Sequence, residues 1–228
     1  MEHRDAKSTL FSHLAVVGKA FGSAKRLELI DLLSQGERTV ESLAREAGLG
    51  VSTASAHLQV LKLSNLVTTR REGTRIHYSL AGEDVARLYA LMQTVAREYS
   101  ADVHRSLEAY FGATGIEDSE VIEISREELR DRMASGDIVL IDVRPPEEYA
   151  AGHIPGARSV PFGRLAADLD TVEELPSDAE VVAYCRGAYC VLAHDAVRLL
   201  QAQGRHARRL QDGLLEWRTE GNPVEVVA

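Results

Sequence analysis

The sequence predicts two domains, the first mainly α-helical with a β-hairpin and the second α/β with a mostly parallel sheet. Three observations lead to this prediction: apolar residues at helical spacing up to residue 111, a hairpin pattern at 66–80, and strands alternating with helices after residue 119. The length of 228 residues, 45% of them hydrophobic, suits one or two domains. We place the domains at 1–112 and 120–228, joined by a linker of small and acidic residues at 113–119.

The first half begins with a run of helices. Apolar residues recur at helical spacing at 10–21 and again at 27–33, which predicts two helices. Thr39 is placed to cap a short third helix that ends at Gly48, and Ser52 is placed to cap a fourth that runs to about Leu63. The last two therefore form a helix-turn-helix.

A hairpin and a long helix complete this half. Two β-type segments at 66–70 and 75–80 flank a charged stretch with Gly73, which suits a hairpin wing. From Asp84 to Phe111 an apolar stripe predicts one long helix, and such a stripe usually packs against a partner.

The second half alternates strands with helices, which predicts a mostly parallel sheet. The predicted strands are 138–142, 181–184 and about 207–210, and the predicted helices are about 125–133, 147–151, 190–203 and 214–219.

The helix from 52 to 63 is the candidate element for reading DNA. The second helix of a helix-turn-helix enters the major groove, so polar side chains must line its first turns while apolar ones face inward. Ala54, Leu58 and Leu61 fit the inward face. The outward candidates are Ser52, Thr53, Ser55, His57 and Gln59.

Positive charge on the wing supports the same assignment. The net charge of −9 belongs to the second half, whereas segment 50–80 holds Lys62, Arg70, Arg71 and Arg75 against only Glu72. The three arginines are predicted to contact phosphate oxygens or the minor groove. A simply solvated hairpin is the alternative.

Both cysteines of the chain stand in one short segment, Cys185-Arg186-Gly187-Ala188-Tyr189-Cys190, between an apolar run and a helical pattern. A loop at such a junction directs backbone N–H groups and a helix N-terminus at one sulfur, which favours the thiolate. Cys185 is therefore the candidate nucleophile. Two inert buried thiols are the alternative.

The chain shows no sign of export or membrane insertion. No apolar stretch approaches the roughly 18–20 residues that span a bilayer, and the charged N-terminus leads into no signal-type run. We expect a cytoplasmic protein without a membrane partner. In that compartment, two cysteines close together in the sequence are better explained as reactive residues than as a structural disulfide.

Residues 9–111 resemble the winged-helix repressors of the arsenic-repressor (ArsR) family, through segments 21–30 and 51–58 and the wing. The resemblance implies a homodimer, held by the first and last helices of this half, on an inverted-repeat operator. Many relatives sense metals through cysteines, but segment 39–47 contains none. Asp102 and His104 match only half of another metal set, so no metal site is assigned.

Residues 120–228 resemble a single rhodanese domain, through segments 140–144, 147–149 and 152–157, the cysteine loop and 212–224. The resemblance implies a persulfide on Cys185, and no cofactor beyond this covalent intermediate. Amides of 186–190 would cradle the anion, and the Arg186 guanidinium would steer an anionic donor such as thiosulfate. Asp142 and Arg144 are given a supporting role at the end of a strand, and His153 a scaffold role.

This loop departs from the rhodanese pattern. Glycine follows Cys185 by two positions instead of three, Tyr189 is bulky, and Cys190 ends the loop, so efficient cyanide-dependent turnover is not expected. Val191 stands where phosphatases of related fold need arginine, which disfavours phosphate chemistry. Cys190 would resolve a Cys185 persulfide into a disulfide or a sulfur-bridged pair if the side chains approach.

The two motif sets together favour a transcriptional regulator whose rhodanese-like domain senses or relays sulfane sulfur from a small donor such as thiosulfate or polysulfide. One alternative is a sulfurtransferase with an accessory DNA-binding module. A second is an interaction module whose cysteine is inactive.

Overall fold

The computed structural model describes residues 2–112, 121–136, 138–167, 173, 175, 176 and 179–227. They form two compact units, one up to Leu91 and one from Met92 onward. Residues 92–112, which the sequence analysis placed in the first domain, therefore group with the second half. The predicted linker at 113–119 lies outside the described residues. None of the described helices is both long and apolar enough to cross a membrane.

The first unit contains the predicted helix-turn-helix and hairpin. Its sheet has the order β1-β3-β2 with antiparallel pairs, and Arg70 lies opposite His77 in the hairpin. Gly73 turns the hairpin with a φ of 59°, a conformation that suits glycine. The elements are α1 (Glu2–Phe21), α2 (Ala24–Ser34), β1 (Arg38–Thr39), α3 (Val40–Glu46), α4 (Val51–Leu63), β2 (Val67–Glu72), β3 (Arg75–Leu80) and the start of α5 (Glu83–Tyr99).

The two predicted helix caps have different outcomes. Thr39 caps α3, since its side chain accepts a hydrogen bond from the backbone N–H of Ser42 at 3.3 Å, as predicted. The prediction for Ser52 is wrong, because the N-cap of α4 is Gly50, whose carbonyl accepts from the N–H of Ala54 at 2.9 Å. Ser52 instead lies exposed in the first turn of α4.

The predicted single helix at 84–111 is interrupted once, so this prediction is also wrong in part. Helix α5 ends at Tyr99 and helix α6 covers Ala101–Gly112. The hydroxyl of Ser100 accepts from the N–H of Val103 at 3.4 Å, as a capping serine does. The next turn still closes, with the N–H of His104 donating to the carbonyl of Ser100 at 3.1 Å.

The second unit carries a five-stranded sheet of order β4-β8-β7-β5-β6 in which every strand pair is parallel. The predicted elements are present, whereas β4, β6 and α9 were not predicted. Two-residue strands leave no periodicity in a sequence, and a six-residue helix is too short to show a clear one. The elements after α6 are β4 (Glu123–Ile124), α7 (Arg126–Ser135), β5 (Ile138–Asp142), α8 (Pro146–Ala151), β6 (Arg158–Ser159), α9 (Phe162–Ala167), β7 (Glu180–Tyr184), α10 (Val191–Ala202), β8 (Ala207–Leu210) and α11 (Leu214–Thr219).

The central strand β7 is buried on both faces. Val181 and Ala183 belong to an apolar cluster with residues of α10, whereas Val182 and Tyr184 pack in a second cluster with Trp217. A parallel strand that is buried on both faces has a continuous apolar sequence, and β7 has this pattern. The residue that follows Tyr184 is thereby fixed at the carboxyl end of the sheet.

Burial in α4 yields a test of the first unit. Leu58 has no exposed surface, whereas Leu63 in the same helix is 80% exposed. We expect Leu58→Ala to lower the free energy of unfolding by about 2–5 kcal/mol, because it leaves a cavity. The matched control Leu63→Ala should change it by less than about 0.5 kcal/mol. Urea unfolding followed by circular dichroism measures both, and equal losses would contradict this packing.

Candidate functional site

The two cysteines meet across their loop. Cys185 directly follows β7, and Cys190 is the N-cap of α10. Their Cα atoms lie 6.1 Å apart, and a disulfide joins the two side chains. Cys185 is buried with 1% exposure, whereas Cys190 is partly exposed. The approach of the two sulfurs that the sequence analysis required is therefore present in the structure.

The N-terminus of α11 holds the loop from one side. The N–H of Leu214 donates to the carbonyl of Cys185, and the N–H of Leu215 donates to the carbonyl of Arg186, both at 2.9 Å. Gly213 makes this approach possible, since a Cβ there would collide with the backbone of Cys185 and Gly187. The position of the loop is thus set by backbone contacts.

Glu216 lies beneath the same loop, and the sequence analysis missed it. Its carboxylate accepts from the N–H of Gly213 at 3.0 Å and from the N–H of Ala188 at 3.4 Å. Burial raises the pKa of Glu216, and the charge of Asp212 adds to the effect. A glutamate three residues after a helix N-cap is a capping-box signal that would have pointed to it.

In the disulfide state, two of the amides predicted to cradle an anion donate to protein oxygens. The N–H of Ala188 donates to Glu216, and the N–H of Cys190 donates to the carbonyl of Gly187 at 3.1 Å. Neither of these two amides therefore donates to the Cys185 sulfur in this state. The loop is organised around Glu216 as well as around sulfur.

Arg186 anchors the loop to α8. Its Nε lies 3.0 Å from both carboxylate oxygens of Glu148, and its Nη2 lies 2.6 Å from Oε1. Glu148 is 1% exposed, so this is a largely desolvated bidentate pair. In the disulfide state the guanidinium is therefore engaged by Glu148, where the sequence analysis expected it to steer a donor.

Asp142 and Arg144 form a fully buried pair at the end of β5. Oδ1 of Asp142 accepts from the backbone N–H and the Nε of Arg144, both at 3.0 Å. Nη2 of Arg144 donates to the carbonyl of Gly152 at 2.7 Å. The pair ties β5 to the end of α8, next to His153, whose ring stacks on Tyr149 with centroids 3.8 Å apart.

Tyr189 links the loop to α5 within the second unit. Its hydroxyl donates to the carbonyl of Gln93 at 3.0 Å, and its ring centroid lies 5.9 Å from the Arg97 guanidinium carbon. Burial raises the pKa of Tyr189, so the hydroxyl keeps its proton for this hydrogen bond. The bulky residue between the two cysteines thus has a defined contact.

The candidate DNA-reading residues of α4 lie as the periodicity predicted. Ala54, Leu58 and Leu61 are fully buried, which turns the opposite face outward. Ser52, Thr53 and Gln59 are exposed, and Ser55 and His57 are half-buried.

The wing arginines differ from one another. Arg70 lies 2.6 Å from Glu37 and 2.8 Å from Glu72, and it lowers the pKa of both carboxyls. Of these two carboxylates only Glu72 was expected near the wing arginines. Glu37 is 33 residues from Arg70 in the sequence and approaches it only in the fold. Arg71 and Arg75 are exposed, and Nε of Arg71 donates to the carbonyl of Gly73 at 3.1 Å.

The described residues contain no group of three His, Cys, Asp or Glu side chains placed to hold a metal ion. Asp102 and His104, which match half of a metal-binding set, contact residues of their own helix. Asp102 pairs with Arg105, and His104 lies 3.4 Å from Glu108.

The buried position of Glu216 predicts a pH effect. Its pKa lies above the ordinary 4.5, so the folded state holds the proton more tightly than the unfolded state does. Its contribution to stability is present at low pH and is lost as pH rises through the raised pKa. The free energy of unfolding of the uncharged variant Glu216→Gln should therefore increase relative to that of wild type as pH rises from about 4 to 7.

Urea unfolding across this range measures the difference between the two proteins. The exposed Glu127→Gln serves as the matched control and should stay parallel to wild type. A difference between Glu216→Gln and wild type that is constant with pH would contradict the burial argument.

Known proteins match both halves. Residues 23–69 match the arsR family of bacterial regulatory proteins, and residues 125–220 match the rhodanese-like domain. A sulfurtransferase from Allochromatium vinosum is 34% identical over 105 residues, 46% of this chain and 94% of that protein. A solved homodimeric winged helix-turn-helix DNA-binding domain from Mycobacterium bovis is 55% identical and covers 42% of this chain and 88% of its own, with a TM-score of 0.40.

A relative from Mycobacterium tuberculosis, an HTH-type transcriptional regulator, matches nearly the whole chain. It is 52% identical over 221 residues, which cover 97% of this chain and 94% of the relative. The match includes both the winged-helix half and the rhodanese-like half. The chain therefore belongs to the arsR family of bacterial regulatory proteins, as a member whose second half is a rhodanese-like domain.

Proposed function

We propose that the protein is a cytoplasmic, homodimeric transcriptional regulator that binds operator DNA through α4 and the wing, and that sulfane sulfur taken up by the Cys185–Cys190 loop changes its operator affinity. The observation that carries the proposal is the pair of joined cysteines at the carboxyl end of β7 in a chain that also contains a winged helix. A pair that closes reversibly gives the protein two chemical states.

The sulfur step balances without a cofactor. In the reduced loop the Cys185 thiolate attacks a sulfane sulfur of an inorganic polysulfide and displaces the shortened polysulfide, leaving a persulfide on Cys185. The Cys190 thiolate then attacks the inner sulfur of that persulfide and displaces hydrosulfide. Two thiol sulfurs are oxidised to the disulfide, and one sulfane sulfur is reduced to sulfide.

The contacts of the loop support a route from sulfur to DNA. Tyr189 lies inside the ring that the disulfide closes, and its hydroxyl reaches the α5 backbone at Gln93. Opening the ring or placing sulfur on Cys185 changes the conformation available to Tyr189. A difference of about 1.4 kcal/mol between two arrangements of α5 would change affinity tenfold.

Exposed apolar side chains support the homodimer. Leu10, Phe11 and Leu14 of α1 are each 57–58% exposed, and Leu91 of α5 is 60% exposed. Apolar faces of this kind mark association surfaces. They lie on the helices to which the family resemblance assigns dimerisation.

A dedicated sulfurtransferase is the less favoured alternative. The loop departs from the rhodanese pattern at Gly187, Tyr189 and Cys190, and the second cysteine closes a disulfide on the nucleophile that repeated turnover would need. The relative that spans nearly the whole chain is named a transcriptional regulator, whereas the sulfurtransferase matches one half.

The wing provides the first test of DNA binding. We expect Arg71→Gln and Arg75→Gln to weaken binding and to lower the slope of log affinity against log salt by about one each, because each removes a phosphate contact. Arg70→Gln should have a smaller effect, since Glu37 and Glu72 already hold that guanidinium.

Fluorescence anisotropy with DNA from upstream of the protein's own gene measures these slopes over a salt series. Arg158→Gln, an exposed arginine on β6, is the matched control and should bind as wild type does. A dominant effect of Arg70→Gln would contradict the assignment of the wing contacts.

Sulfur control is tested with the same DNA. We expect polysulfide to lower the operator affinity of the reduced wild type by about tenfold, within the ordinary range of coupling between sites. Cys185→Ser should not respond, because it lacks the nucleophile. Cys190→Ser should take up sulfur but should not form the disulfide.

Dithiothreitol should restore the affinity of treated wild type, which controls for irreversible damage. Equal affinity of wild type with and without polysulfide would reject sulfur control.

A further inference from the structure

A cavity of about 500 Å³ lies beside the cysteine loop within the second unit. Small-molecule sites in proteins commonly enclose volumes of this size. The walls come from the last turn of α5, from α6, from the first strand of the sheet and from the region around β8. Its lining includes the cations of Arg97 and Arg209, the carboxylate of Glu123, and the apolar side chains of Leu107, Phe111 and Val121.

Arg209 brings a buried positive charge to this cavity. The residue is 5% exposed, and its nearest carboxylate, that of Glu123, lies 3.5 Å from Nη1 and is itself 43% exposed. Its Nη2 donates to the carbonyl of Ala188 at 3.0 Å. Burial of a guanidinium is costly unless charge and hydrogen bonds compensate it. Besides Glu123, the carboxyl groups of Asp212 and Glu216 act on Arg209 from farther away, and Asp212 is already shared by Arg97 and Arg126. The environment of Arg209 therefore favours an additional anion.

The other walls define the rest of the ligand. Arg97 adds a second guanidinium, whose partner Asp212 lies 3.4 Å away. Leu107, Phe111 and Val121 are apolar, and the Phe111 ring centroid lies 5.0 Å from the Arg209 guanidinium carbon. Two guanidinium groups next to an apolar wall suit an oxyanion attached to an apolar body.

Both arginines also contact the cysteine loop. Arg209 holds the carbonyl of Ala188, and Arg97 lies 5.9 Å from the ring centroid of Tyr189. A ligand that draws either guanidinium toward its own oxyanion weakens a contact that fixes the loop. Occupancy of the cavity and closure of the disulfide are thereby linked through two side chains.

We propose that this cavity is a binding site for a small organic anion, with a carboxylate or sulfonate head and an apolar body, and that its occupancy loosens the cysteine loop. The site is non-covalent and separate from the sulfur chemistry at Cys185. The effect on the loop rests on the proposed function, whereas the binding itself does not.

The binding test uses 2-naphthoate as the probe and the full chain in its disulfide form. Isothermal titration calorimetry should show saturable binding of 2-naphthoate, with much weaker binding of the uncharged 2-naphthalenemethanol and of sulfate alone. Arg97→Gln and Arg209→Gln should each weaken 2-naphthoate binding by about tenfold or more, the ordinary contribution of a hydrogen bond to a charged group.

Arg158→Gln is the matched control and should bind 2-naphthoate as wild type does. Arg97 is 31% exposed, so its variant retains a folded protein even if Arg209→Gln does not. No saturable binding to wild type, or equal binding to wild type and Arg97→Gln, would overturn the proposed site.

The effect on the loop is measured separately, as the rate at which dithiothreitol reduces the Cys185–Cys190 disulfide. We expect saturating 2-naphthoate to raise this rate by about fivefold in wild type, the lower end of ordinary coupling, and to leave Arg97→Gln unchanged. Binding without any change in rate would reject the link to the loop while leaving the site in place. Neither readout involves DNA, so failure of sulfur control over DNA binding would be distinguishable from both.

Discussion

The close backbone contact between the cysteine loop and the N-terminus of α11 is the constraint on which the rest of the site depends. The carbonyls of Cys185 and Arg186 accept the first free N–H groups of α11, and this requires the absence of a side chain at position 213. The contact fixes where Cys185 leaves the central strand. It also places Glu216 beneath the loop, where its carboxylate accepts from the loop amide of Ala188 and from the N–H of Gly213, the N-cap of α11.

Two side-chain contacts also hold this loop to neighbouring helices. Arg186 holds the loop to α8 through Glu148, and Tyr189 holds it to the α5 backbone through Gln93. We expect a change in the covalent state of this loop to alter at least one of these three contacts, because close-packed interiors yield in discrete steps. Of the three, the Tyr189 contact reaches α5, the helix that continues from the wing. The proposed sulfur chemistry at the carboxyl end of the sheet would therefore act, within the second unit, on the C-terminal half of α5.

Much of the fold could be predicted from the sequence because local patterns carried it. The buried strands β5 and β7 are continuous apolar runs, and Thr39 caps its helix through a short-range hydrogen bond. The break at Ser100 could not be predicted from apolar periodicity. The apolar stripe runs past this residue without interruption, although α5 ends before it and its hydroxyl caps α6.

The parts that could not be predicted depend on groups far apart in the chain. Glu216 accepts from an amide 28 residues away, and Arg70 meets Glu37 across 33 residues. Sequence spacing can nominate a nucleophile such as Cys185, but it does not show which charges the fold has already neutralised. For this reason neither the Arg186–Glu148 pair nor the Arg70–Glu37 pair was predicted.

The proposed function depends on one step, in which Cys190 resolves a persulfide on Cys185 within the same loop. The most direct measurement is peptide mass spectrometry of the reduced protein after one equivalent of polysulfide, combined with quantification of the released sulfide. We expect a Cys185–Cys190 disulfide with about one hydrosulfide released per chain, and a persulfide that accumulates only in Cys190→Ser. A stable persulfide on wild-type Cys185, or an unmodified loop, would contradict it.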